Sequence, residues 1–257
     1  MSSRLPSSCS IACGRPHRRL HEQCSYVTGN TIHCSKDVGK CEIESEHSVR
    51  LNQDRLVDAA LALVDDLGEE SLSMRTLAAR VDRQVSSLYN HVSGRGELIE
   101  LMRARIVAGI DVQVFSGIEE SSESVPWDRA LELWARTYLR AFADHPNLIR
   151  LLATTSIRDL STYEMYDSVI GGLRRGGWPQ GQTVAVMRSV EAYVLGSALD
   201  IVAPVDLITQ ESAGDRFAEI RGALDPRFGE NSSAVASFEF GLTSLIQGLK
   251  HRLEAVS

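Results

Sequence analysis

The sequence predicts an all-α protein, with an N-terminal three-helix helix-turn-helix domain followed by a larger helical domain. Three observations carry this expectation. From Leu51 onward apolar residues recur at intervals of three and four; glycine, proline and capping residues punctuate the segments so defined; and no alternating strand pattern competes there.

Leu56, Val57, Ala60, Leu63, Val64 and Leu67 share one face of the first helix, with Asp54, Asp58, Asp65 and Asp66 on the other. Gly68 stands where a left-handed C-cap would end it. Ser73 offers an N-cap to a second helix, from Met74 to about Val81, which buries Leu77, Ala78 and Val81 and turns Arg75, Thr76 and Arg80 to solvent. Asp82-Arg83-Gln84 makes a tight turn in which Asp82 takes the left-handed conformation. A third short helix faces Val85, Leu88 and Val92 inward and Ser86, Ser87, Asn90 and His91 outward. Ser93-Gly94-Arg95-Gly96, readable as a hinge or as a plain turn, then leads into a helix running to about Ile110.

Beyond it the pattern predicts helices over Trp127 to Ala143, Asn147 to Ser156, Ser161 to Arg175, Gly181 to Val202 and Ser232 to Glu254. Pro146 ends the first of these by disfavouring a helical His145. Gly176-Gly177-Trp178-Pro179 breaks the series once, and a loose stretch from Ala203 to Asn231 breaks it again.

The chain of 257 residues carries a net charge of −7, so a nucleic-acid contact has to come from a local basic patch. Arg75, Arg80, Arg83 and Arg95 against Asp82 alone, between Ser73 and Arg95, form such a patch. Two short helices behind a longer one are the helix-turn-helix arrangement, whose last helix enters the major groove. Ser and Thr hydroxyls, an Asn amide and a His ring exchange hydrogen bonds with base edges, and a Tyr reaches phosphate. The plainer reading is that Ser86, Asn90 and His91 solvate a small helix.

No run of about 18 apolar residues occurs and no apolar leader opens the chain, so the expected place is the cytoplasm, with no membrane partner. All 5 cysteines precede Arg50, leaving the remainder without need of disulfides. Cys9-x3-Cys13 and His17-x3-His21 are the best spacing for a metal or redox site; the plainer reading makes residues 1–50 a disordered tail, or one ahead of a later start at Val27, Val38 or Val49. Neither a catalytic serine or metal-hydrolase motif nor a phosphate-binding glycine loop is present, so no enzyme and no cofactor is expected.

Leu51 to Met102, and within it SMRTLAARVDRQVSSLYNHV from Ser73 to Val92, resembles the DNA-binding domain of the TetR family of transcriptional regulators. Leu88, Tyr89, His91 and Val92 are its most specific part. The resemblance implies that Arg75 reaches a base, that Val85, Ser86, Ser87, Asn90 and His91 line the groove-facing surface, and that Tyr89 and Arg95 grip phosphates. Thr76, beside Arg75 on the same exposed side, is counted with these DNA-contacting residues. Asp82 replaces the family's usual glycine, and Val85 and Asn90 stand where the resembled domain carries a glutamine and a tryptophan, so the operator must differ. Val85 therefore has two readings: inward-facing by periodicity, or touching a thymine methyl.

The resemblance extends more weakly through Tyr163-Glu164 and Leu195 to Asp200 into a ligand-binding and dimerisation domain over 98–257, with the helix-turn-helix over 51–97. It implies a repressor released from palindromic double-stranded DNA by a small-molecule effector. The histidine that holds magnesium in the family's namesake aligns with Leu152, although an acid remains at Asp200, so a magnesium-bound drug is not the expected ligand; His145 is the nearest other candidate. Pocket candidates are the large inward side chains Trp134, Tyr138, Phe142, Met165, Tyr166, Met187, Glu191 and Tyr193, most of which also suit a plain core. Arg188 and Glu191 pair at i, i+3 or face a polar cavity. Homodimerisation is expected through Gly181 to Val202 and Ser232 to Glu254, where Gly196, Ser197 and Ala198, with Gly241, Ser244 and Gly248, permit close approach. Alternatives are a metal- or redox-sensing regulator using the Cys/His tail, an activator, and a helical ligand-binding protein that contacts no DNA.

Overall fold

The computed structural model describes residues 32–34, 41–43, 51–116, 125–204, 207–231 and 233–255. The chain divides into two units, 1–50 and 51–257. In the first, strand β1 (Ile32–Cys34) pairs antiparallel with β2 (Cys41–Ile43), Ile32 opposite Ile43 and Cys34 opposite Cys41. Helical periodicity from Leu51 onward gave no view of this pair. β-branched ends and a short connection favour such local pairing. Cys9, Cys13, His17 and His21, with their metal or redox reading, lie outside the described residues.

Among the described residues, all the regular structure of the second unit is helical. Its first four helices are α1 (Gln53–Leu67), α2 (Met74–Arg80), α3 (Val85–Leu88) and α4 (Arg95–Val107). Asn52 caps α1 through its side chain, and Gly68 ends it at φ +81° with its N–H on the Val64 carbonyl. Leu56, Ala60 and Val64 of α1 are buried with Leu77, Ala78, Leu88 and Val92, as the periodicity predicts. Helix α3 is a single turn, and the inward position of Val92 is kept because its N–H donates to the Leu88 carbonyl.

The larger layer is built of α6 (Trp127–Ala143), α7 (Leu148–Ala153), α8 (Leu160–Arg175), α9 (Gln180–Ile201) and α12 (Ala234–Glu254). Helices α6, α8, α9 and α12 pack on one another, and α4 lies against α1, α6 and α8. Two expected ends shift inward: α7 stops at Ala153, and α12 starts at Ala234 with Ser233 as its cap. The loose stretch after α9 contains α10 (Gln210–Ala213), α11 (Ala218–Ala223) and a 3-10 turn.

One further turn, α5 (Gln113–Ser116), has too few residues to show a period, yet it buries Phe115 completely against Trp134 and Gly172. The end of α1 is tied to the α6–α7 connection. His145 Nδ1 lies 2.8 Å from Asp65 Oδ2, Asn147 donates to the Asp65 carbonyl at 2.9 Å, and Arg150 pairs with Glu69 at 3.0 Å. His145 is thereby engaged at this joint and not at a ligand cavity.

Candidate nucleic-acid interface and ligand cavity

Helix α2 is set by a capping box: Ser73 Oγ accepts from Thr76 N–H, and Ser73 N–H donates to Thr76 Oγ1, each at 3.1 Å. The Thr76 hydroxyl also donates to the Ser71 carbonyl at 2.6 Å, so its proton belongs to the cap. Asp82 then turns the chain at φ +50°. The turn exposes Arg75, Ser86, Tyr89, Asn90 and Arg95, with Ser87 and His91 half-buried beside them. Val85 is partly buried against the core, which supports its inward reading by packing.

Two contacts position this surface from behind. Gln53 Nε2 donates to the His91 carbonyl at 3.1 Å, and Arg95 Nε to the Leu72 carbonyl at 2.9 Å. Of the local cations, Arg80 pairs with Asp66 at 2.6 Å and Arg83 donates to the Asp82 carbonyl, whereas Arg75 makes no ion pair among the described residues.

A cavity of about 440 Å³ lies in the larger layer, walled by α4, α6, α7, α8, α9 and the α7–α8 loop. Tyr138, Phe142, Met165, Tyr166, Met187 and Glu191, six of the eight pocket candidates, line it. Trp134 and Tyr193 do not. Trp134 is fully buried between Phe115 and Tyr138, and Tyr193 stacks on Phe238, covers Gly241 and donates to the Phe238 carbonyl at 2.9 Å. Helical spacing gives the side of a helix that is buried; it does not say whether that side meets a void or a neighbour.

The polar centre of the cavity is Glu191. Its Oε1 accepts from the Tyr138 hydroxyl at 2.8 Å and the Tyr166 hydroxyl at 2.5 Å. Burial, and then the Glu191 carboxylate, push both phenols above their ordinary values, so both remain protonated donors at neutral pH. Of the two readings of Arg188 and Glu191, the i, i+3 pair is not formed and both residues face the cavity; Arg188 is exposed and makes no ion pair among the described residues.

Sequence reasoning missed Arg103, which lines the cavity while only 6% exposed. Its Nη1 and Nη2 donate to the Leu152 and Thr155 carbonyls, each at 3.1 Å. Glu100, one turn earlier, accepts from Arg158 N–H at 2.7 Å and Asp159 N–H at 2.8 Å through Oε2. Arg103 Nε and Glu100 Oε1 form a buried ion pair at 3.6 Å, too long for a hydrogen bond. A signal existed: an i, i+3 pair of opposite charges inside the apolar frame Leu98, Ile99, Met102, Ile106. Leu152 also lines the cavity, whereas Asp200 is exposed and does not, so the residues aligned with the namesake's magnesium ligands are not brought together.

Residues 122–253 match the family model described as the tetracyclin repressor-like C-terminal domain. The HTH-type transcriptional repressor DrrR1 of Streptomyces coeruleorubidus is 27% identical over 218 residues, 78% of this chain and 77% of that protein. The class E tetracycline repressor of Escherichia coli is 25% identical over 205 residues, 80% of this chain and 93% of that one. Among solved structures, TetR from Acinetobacter baumannii AYE superposes with a TM-score of 0.55 at 25% identity, covering 79% of this chain and 98% of its own. Apo ActR from Streptomyces coelicolor reaches 0.65 at 23% identity, covering 80% and 98%.

Proposed function

We propose, from the premise that the chain belongs to the tetracycline repressor-like family, that it is a homodimeric transcriptional repressor that leaves its operator when a small molecule fills the cavity. The observation that carries this reading is that one helix serves both sites. Helix α4 begins at Arg95, beside the exposed surface of α3, and eight residues on presents Arg103 to the cavity. A ligand that binds one placement of α4 better than another shifts the spacing of the reading surfaces, which is allostery by differential affinity.

Arg75, Ser86, Ser87, Asn90 and His91 read bases in this proposal, and Tyr89 and Arg95 hold phosphate. Thr76 positions α2 through its cap, and Val85 presents only its outer edge to a thymine methyl. Dimerisation follows because one α3 reads a half-site, and two must stand about 34–36 Å apart to read a palindrome. The exposed apolar residues Val184 and Leu199 of α9, with Val235 and Phe240 of α12, suit the helix-bundle pairing. Gly241 has a role within one chain, under Tyr193, while Gly196 and Gly248 stand open for approach by another.

The test is binding of the purified protein to its own upstream DNA at two salt concentrations, with random duplex as competitor. Saturable, competitor-resistant binding that weakens with salt is expected. No binding at all to that DNA or to any selected sequence would sink the repressor reading and favour a helical ligand-binding protein.

A further inference from the structure

We infer that Cys34 and Cys41 form a reversible thiol–disulfide pair, a redox site that depends on neither the operator surface nor the cavity. Its first support is the register of the strand pair. Strands β1 and β2 run antiparallel with Cys34 directly opposite Cys41. Opposed residues of such a pair have Cα atoms about 4.5–5.5 Å apart, and a disulfide spans about 4.4–6.8 Å between its Cα atoms. The backbone pairing by itself therefore brings these two cysteines to bonding range, whichever of the two antiparallel pair types they occupy.

The second support is that the sequence selects this register. Strand β1 reads Ile-His-Cys and β2 reads Cys-Glu-Ile. Alternation places Ile32, Cys34, Cys41 and Ile43 on one face of the pair, with His33 and Glu42 on the other. A slip of one residue would set Cys34 against Lys40 or Glu42 and break the match of apolar with apolar. Nearness along the chain would favour a different pair, Cys9 and Cys13, so register and proximity make opposite forecasts.

The third support is where the cysteines lie. All 5 precede Arg50, and residues 51–257 have none, so thiol chemistry in this chain is confined to the first unit. With a low-molecular-weight disulfide as the oxidant, the step balances. One cysteine thiolate attacks a sulfur of glutathione disulfide and expels one glutathione thiolate; the other cysteine then attacks the mixed disulfide and expels the second. Two cysteine thiols give up two protons and two electrons, and one glutathione disulfide becomes two glutathione thiols. Two strands of 3 residues make a marginal hairpin on their own, so little folding energy opposes the reverse exchange, and excess glutathione reopens the bond.

The experiment equilibrates the full chain at increasing ratios of glutathione disulfide to glutathione, quenches with acid, alkylates free thiols and maps tryptic peptides by mass spectrometry. Cleavage after Arg19, Lys36, Lys40 and Arg50 separates residues 20–36, with Cys24 and Cys34, from residues 41–50, with Cys41. Repeating the map in Cys24→Ser assigns the link to Cys34. The expected result is a disulfide joining those two peptides, with Cys34 and Cys41 losing alkylation together along one two-electron titration and regaining it in excess glutathione. In Cys34→Ser, Cys41 is expected to stop at the glutathione adduct, and the converse holds in Cys41→Ser. The cysteine-free helical body supplies the circular dichroism signal that certifies each variant as folded. Separate titration of the two cysteines, a link from either to Cys9, Cys13, Cys24 or a second chain, stable glutathione adducts on both in the parent, or no link at any ratio would overturn the proposal. No step reads DNA or the cavity, so its failure leaves the repressor reading standing.

Discussion

At Asp82 the backbone reaches φ +50°, where a side chain is normally disfavoured and where the family usually has glycine. Asp tolerates this region better than most residues, so a β-branched replacement should expose the strain. Asp82→Val is expected to lower unfolding free energy by about 1–2 kcal/mol, read from urea melts, while Asp82→Gly should match or exceed the parent. Inside the cavity, Glu191 depends on both phenols. Tyr166→Phe removes the 2.5 Å bond and is expected to cost about 1–2 kcal/mol of stability. An unchanged melt would mean that the Tyr138 hydroxyl alone satisfies the carboxylate.

Helices in this protein are set by a few local devices. Without the Ser73 hydroxyl, α2 loses the bond that caps Thr76 N–H and keeps only the one from Ser73 N–H to Thr76 Oγ1, and Ser73→Ala should destabilise by about 1 kcal/mol. Operator affinity should fall with it, because α2 places Arg75. Helix α8 is capped by Asp159, whose carboxylate accepts from Ser161 and Thr162. Burial alone would raise this carboxyl's pKa, but those bonds outweigh it and hold it below the usual value. A depressed acid stabilises above its unfolded pKa of about 3.9 and loses that contribution as pH falls through the folded value. An acid titration should show this component vanish in Asp159→Ala. At Gly172 an added Cβ would collide with Phe115, so Gly172→Ala should cost about 1–3 kcal/mol, measured by thermal melting, by forcing α5 off α8.

For the whole molecule, the contact division at residue 50 predicts that removing residues 1–48 leaves the melt and operator binding of the remainder intact. Loss of a zinc or oxidant response on that deletion would revive the sensing alternative. Phe240 is 79% exposed on α12, a large apolar surface with no cover in one chain. Phe240→Asp is expected to weaken self-association at least about tenfold, read by analytical ultracentrifugation.

Much of the fold was legible from the residues because helix-forming information is local. Three- and four-residue spacing, Ser73, Gly68, Pro146 and the turn at Asp82 each act within a few residues of where they stand. Of the outward set Ser86, Ser87, Asn90 and His91, Ser86 and Asn90 are exposed while Ser87 and His91 are half-buried, because a one-turn helix leaves its flanks against neighbouring elements. The cavity was legible only in part. Six of its predicted residues do line it, but Trp134 and Tyr193 lie on equally good buried faces and meet Phe115 and Phe238 instead of space. Arg103 reads as surface charge by type. It is buried only because α4 runs beside α7, which brings the Leu152 and Thr155 carbonyls, about 50 residues along the chain, to its guanidinium. Periodicity determined which residues turn inward; only the packing of distant helices decided which of them meet a neighbour, a void or a buried charge.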